Sequence, residues 1–222
     1  AMMSEWISHL HLEATGITDT EQALKWATPK TLGIKDYDPA DPAASYAKVF
    51  KARFESDPQA GYDYLEYAMK DASPSYGYYL LARAIAEPWC KLLLTTNFDN
   101  LPVEALMSFS REYPLVIGHE SIAAFIPQRP RRPTVVKIHR DLLLNPKNND
   151  DEIGQLDDGL GKRLTSLLGE HSLIVIGYGG NDGGLMDVLE QAGECAFPGG
   201  LYWCYREMDG LPHQKILDLL RK

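Results

Sequence analysis

Apolar positions follow two different regimes along the chain. Up to about residue 87 they recur at helical spacing. Trp6, Ile7, Leu10 and Leu12 follow a Ser4 cap, and Thr18-Asp19-Thr20-Glu21 reads as a capping box ahead of Ala23, Leu24 and Trp26. Pro29 ends that helix, and Tyr37-Asp38-Pro39-Ala40-Asp41-Pro42 reads as a loop. Residues 43–56, 59–71 and 75–86 predict three Ala- and Tyr-rich helices, separated by Asp57-Pro58 and Ser73-Pro74. From residue 90 the pattern changes to short continuous apolar runs: Leu92 to Thr96, Leu115 to Ile117, Thr134 to Ile138, Leu173 to Ile176 and Leu201 to Tyr205. Helical stretches at 101–111, 119–126, 156–169 and 184–192 separate most of them, and a last helix is expected over about 212–221.

Continuous apolar strands alternating with helices indicate a parallel sheet covered on both faces. The expected fold class is therefore α/β: one domain over 1–222, doubly wound, with a core at 90–206 and a helical insertion at 36–87.

Composition narrows the function classes. The 222 residues carry a formal net charge of −9, which argues against coating nucleic acid or an anionic membrane. Three cysteines (Cys90, Cys195, Cys204) without a Cys-x-x-Cys pair exclude a dense disulfide framework and a zinc knuckle. No apolar run approaches bilayer length, and the first residues lack a charged n-region and a continuous apolar stretch. A cytoplasmic protein with reduced thiols is expected, with neither metal, nucleic acid nor membrane as partner.

In open parallel sheets, ligands bind beyond the carboxyl ends of the strands. Three such ends are rich in polar and glycine residues. The first is Thr95-Thr96-Asn97-Phe98-Asp99-Asn100, the second Lys137-Ile138-His139-Arg140-Asp141, and the third runs from Gly177 through Tyr178, Gly179, Gly180, Asn181 and Asp182 to Gly184. Asn97 can donate and accept at once, and Asp99 supplies acceptors, yet Asn-x-Asp is also a common capping turn. His139 has the chemistry of a general base near neutral pH, although a single histidine at a strand end is more often structural. Asp141 is placed to orient it. The glycine run would let a phosphate approach the backbone, or would simply be a turn with Asp182 as N-cap. Residue by residue, both readings stay open. Arg129, Arg131 and Arg132 read as a solvated loop, the acidic stretch from Asp150 to Asp158 as solvated surface, and the tyrosines between 46 and 79 as packing of the insertion.

Together these segments are far more specific. Leu94-Thr95-Thr96-Asn97-Phe98-Asp99, then Val136-Lys137-Ile138-His139, then Val175-Ile176-Gly177-Tyr178-Gly179-Gly180-Asn181-Asp182 resemble, in order and spacing, the sirtuin-like (silent-information-regulator-like) family. Gly200-Leu201-Tyr202-Trp203 resembles a strand of its mostly prokaryotic branch. The resemblance implies a Rossmann-like fold that binds NAD and cleaves its nicotinamide–ribose bond. It implies that Asn97 holds the attacking water or ribose hydroxyl and that His139 is the general base. Thr96, Asp99, Gly177, Tyr178, Gly179, Asn181 and Asp182 would line the dinucleotide. NAD is then a substrate, and NAD hydrolysis, in that branch often linked to antiphage defence, is the expected activity. A silent NAD- or ADP-ribose-binding or assembly domain is the alternative. Protein deacylation ranks below both, because the family's zinc ribbon is missing. Two departures carry expectations. The family's Gly-Ala-Gly-x-Ser loop and its strand are absent before residue 90, which predicts weak or no NAD binding and little hydrolysis by the chain as it stands, and a sheet edge covered by another segment or by a second copy. Arg140 stands where the family has glycine, and is expected to reach solvent, enter the pocket, or pair with Asp141 or Asp99.

Overall fold

The computed structural model describes residues 2–40, 45–141, 143–144, 156–180, 183–193 and 196–221. The chain forms two compact units, one over Ala1–Lys70 (with Lys147–Glu152) and one over Asp71–Pro146 and Ile153–Lys222.

The first unit is helical: α1 (Met2–Thr15), α2 (Thr20–Trp26), α3 (Pro29–Leu32), α4 (Tyr46–Phe54) and α5 (Pro58–Met69). Ser4 lies inside α1 rather than capping it. The α2 cap is Asp19, whose side chain accepts from the Gln22 amide, one residue later than the capping box expected at Thr18. Pro29 begins α3 at its first turn, where no N–H is needed, behind a reciprocal Thr28–Thr31 capping box. The core is aromatic. Trp6 is fully buried, with the rings of Tyr46, Phe50, Phe54 and Tyr64 centred 5.1, 5.3, 6.0 and 5.8 Å away. Gly61 on α5 admits this packing, since a Cβ there would lie 2.8 Å from Phe50 Cζ.

The second unit begins with α6 (Tyr76–Ala86), which the expected 36–87 insertion had grouped with the preceding helices. Its Ala82 and Ile85 instead form a core with Leu93, Val135, Ala105 and Leu106. Then follow β1 (Leu92–Thr95), α7 (Leu101–Ala105) continued by a π-helical turn (Leu106–Ser110), β2 (Leu115–Ile117), a 3-10 segment (Glu120–Phe125) and β3 (Thr134–Lys137). The chain ends with α8 (Asp158–Leu168), β4 (Leu173–Ile176), α9 (Gly183–Gln191), β5 (Leu201–Cys204), a short 3-10 turn (Glu207–Asp209) and α10 (Gln214–Leu219).

All strand pairs are parallel. Side chains alternate between faces along a strand. Leu93 and Val135 meet α6 and α7, while Leu92, Leu94 and Val136 meet the leucines of α8, with Met186, Leu189 and Ile216 of α9 and α10 in the same core. Burial on both faces is why these strands read as unbroken apolar runs. Leu173, Leu201 and Trp203 of β4 and β5 pack on that same core.

The architecture is the expected α/β arrangement of parallel strands and helices, with one difference. The strands form two ladders, β1-β3-β2 and β4-β5, instead of one continuous sheet. Among the described residues no strand pairs with the outer edges of either ladder. Ile174, Ile176 and Tyr202 on the other face of the smaller ladder are 54%, 69% and 56% exposed. Among the described residues no helix is long and apolar enough to cross a membrane.

Candidate functional site at the carboxyl ends of the strands

The register of the larger ladder brings two candidate residues to one place. Thr95 pairs with Lys137, and the Ile138 amide extends the ladder by donating to Thr95 O at 2.8 Å. Asn97 and His139 each lie two residues beyond that pair, at the same end of adjacent strands. Asn97 is exposed and its amide donates to Thr95 Oγ1 at 3.0 Å, which turns the chain out of β1. His139 is 7% exposed. Thr96, directly before Asn97, is half-buried.

Asp99 carries out the capping role that its residue type allows, accepting from the Leu101 amide at 2.9 Å to start α7. That bond occupies Oδ1 only. A residue not anticipated from sequence completes this corner. Tyr78, on α6, lies near this corner: burial, reinforced by the Asp99 charge, pushes its phenol upward, and the neighbouring Asn97 side chain offsets part of that. Its phenol therefore stays protonated across the physiological range. Nothing local in the sequence marks Tyr78, which sits among tyrosines that pack helices.

The loops after β1, β2 and β3 are cross-tied. Lys137, whose side chain is fully buried, donates to Phe98 O (2.9 Å), Asn100 Oδ1 (2.8 Å) and Asp141 Oδ2 (2.6 Å). The Asp141 amide donates to Gly118 O at 2.7 Å, just beyond β2. Asp141, expected to orient His139, instead gives Oδ2 to Lys137 and Oδ1 to the Leu143 amide.

Arg140 also departs from expectation. It neither reaches into open solvent nor pairs with Asp141 or Asp99. Its guanidinium grips Glu120, Nε at 3.1 and 2.9 Å from the two carboxylate oxygens and Nη2 at 2.5 Å from Oε1. The backbone there has φ +70°, a left-handed conformation that suits glycine. The two effects oppose each other. Left-handed backbone costs a non-glycine residue about 1–2 kcal/mol. Hydrogen bonds to charged partners contribute about 1.5–3 kcal/mol. Arg140→Gly should therefore leave thermal stability nearly unchanged, whereas Glu120→Ala keeps the strain, loses the bond and should cost about 1–3 kcal/mol. Equal losses in melts of the two variants would contradict this balance.

The glycine run follows β4. Gly177 has φ +69° with no heavy atom within 4 Å of where a Cβ would stand, and Gly177 and Gly179 are exposed. A ligand can thus come close to this backbone. Gly180, at φ +71°, is required by packing, since its Cβ would meet Ile216 Cδ1 at 3.0 Å. The Tyr178 ring packs on Trp203, centroids 5.7 Å apart, and its hydroxyl oxygen is buried. Asn181 and Asp182 lie outside the described residues, as do the acidic residues Asp150, Asp151 and Glu152. Asp157 caps α8. A groove of about 420 Å³ lined by Glu120, Ser121, Lys162 and Ser166 borders this region through Glu120 and contains none of the candidate residues. Among the described residues no three His, Cys, Asp or Glu side chains are grouped to hold a metal ion.

Comparison with curated proteins finds no match. A family model described as SIR2-like domain matches residues 91–215, more than half of the chain and all five strands, and the chain belongs to that family.

Proposed function

We propose that this chain is an NAD glycohydrolase whose reacting groups are Asn97 and His139. SIR2-like domains bind NAD, so an NAD-related function follows from the family. The finer reading rests on one observation above all. The Thr95–Lys137 register ends the ladder two residues before both Asn97 and His139, at the same end of adjacent strands. The exposed, positive-φ backbone at Gly177 fits a dinucleotide that must lie close to the main chain.

The chemistry demands little of the protein. The bond between nicotinamide nitrogen and ribose C1′ breaks, and the pyridinium leaves as neutral nicotinamide, so no general acid is needed. Water oxygen bonds to C1′, and its proton passes to His139 and then to solvent. Asn97 orients that water and His139 takes its proton. Positioning and one oriented nucleophile are the main contributions. Thr96, Asp99, Tyr178 and Gly179, with Asn181 and Asp182, are proposed to line the bound dinucleotide.

A second reading, NAD or ADP-ribose binding without turnover, is favoured by the exposure of Asn97, since a hydrolase has to control which water reacts. A thermal-shift titration with millimolar NAD, run beside chromatography of nicotinamide, separates the two. A melt that rises with NAD while nicotinamide accumulates supports hydrolysis. A melt that rises with NAD left intact supports binding alone, and an unmoved melt with intact NAD contradicts both.

A further inference from the structure

We infer that Lys137 is a positioning residue that locks the Asn97 loop and the His139 loop into one relative geometry. The inference rests on the reading of Asn97 and His139 as the reacting pair. An ammonium has three N–H donors, and Lys137 spends them on Phe98 O, Asn100 Oδ1 and Asp141 Oδ2, at 2.9, 2.8 and 2.6 Å. The first two acceptors belong to the loop after β1, starting one residue past Asn97. The third closes the turn from 137 to 141 that carries His139. One buried cation is therefore shared by both loops.

Stability alone gives little reason for a charge at this point. None of the Lys137 side chain reaches solvent, and the Asp141 side chain is 15% exposed. Desolvating such a pair offsets most of its attraction, and apolar side chains of similar size often serve as well. An apolar side chain would fill the volume but would not hold a carbonyl, an amide oxygen and a carboxylate from two loops at fixed distances. What the ammonium adds is geometry. Misplacement by about 1 Å at a reacting centre can cost on the order of 10²-fold in rate.

The test is Lys137→Met in the full chain, with Asn100→Ala as a second variant that removes one tie from the exposed side. Three quantities are read: kcat and KM for nicotinamide release, and amide hydrogen exchange. Lys137→Met should lower kcat by about 10²-fold with KM changed only a few-fold. Exchange should quicken by about tenfold or more at the Asn97, Leu101 and Leu143 amides, while the ladder amides Val135 and Val136 keep their protection. Asn100→Ala should move the same quantities less, and decides the matter should Lys137→Met not fold. Unchanged kcat in folded Lys137→Met, or faster exchange in one loop only, would overturn the inference. If the unaltered chain releases no nicotinamide, the hydrolase reading falls. The exchange pattern still tests the clamp, and an unmoved pattern overturns it.

Discussion

Replacing His139 by alanine lowers nicotinamide release by about 10²–10⁴-fold, the usual cost of losing a general base. Asn97→Ala is expected to do the same, because a water without its orienting amide reaches C1′ in few productive poses. The two losses should not multiply. Both residues act on one water, and groups that work as a unit are strongly non-additive. The double variant should therefore be little slower than the worse single one. Folding should survive in each case. Asn97 is exposed, and the ladder between β1 and β3 ends before either side chain. Single-turnover release of nicotinamide, measured beside a melt, checks this. Turnover near that of the unaltered chain in both variants would remove Asn97 and His139 from the mechanism.

The largest effect on stability is expected at Trp6. The indole is fully buried and ringed by Tyr46, Phe50, Phe54 and Tyr64, so it joins α1 to both α4 and α5. Truncating a buried Trp to alanine costs about 3–5 kcal/mol through lost burial and the cavity left behind. Domains are stable by only about 5–15 kcal/mol, so such a loss takes much of what a 70-residue helical unit has. In Trp6→Ala, exchange should accelerate throughout α1, α4 and α5 while β1 and β3 stay protected. Trp6→Phe, which keeps a ring in place, should lose less. A urea midpoint for Trp6→Ala within experimental scatter of the unaltered chain would contradict this account of the core.

The larger ladder was legible in the sequence because its strands pack against helices on both faces. Runs such as Leu92-Leu93-Leu94 and Val135-Val136 leave no polar alternation to misread, and β1 to β5 fall within a residue of the expected segments. The positions of Asn97 and His139 just past strand ends were legible for a related reason, since polar residues directly after such runs mark strand ends. Other features depend on pairings across the fold. Lys137 looked like one more strand residue, and only its three acceptors reveal a different role. Arg140 could not be paired from sequence because Glu120 reaches it from another loop, 20 residues earlier. Tyr78 belongs to a helix whose stripe of Ala and Ile packs on the sheet, and that packing brings its phenol near the loop after β1. The division of the strands into two ladders was not foreseen, one continuous sheet having been expected, since pairing partners are a property of the folded chain.

The central claim is that water adds to ribose C1′ as nicotinamide leaves, and one isotope measurement addresses it directly. The chain, at high concentration with millimolar NAD in H2¹⁸O, is followed by mass spectrometry of the products. The account predicts nicotinamide and ADP-ribose in equal amounts, with one ¹⁸O in the ADP-ribose, and neither product in His139→Ala over the same interval. NAD recovered intact from the unaltered chain, or nicotinamide released without labelled ADP-ribose, would contradict it.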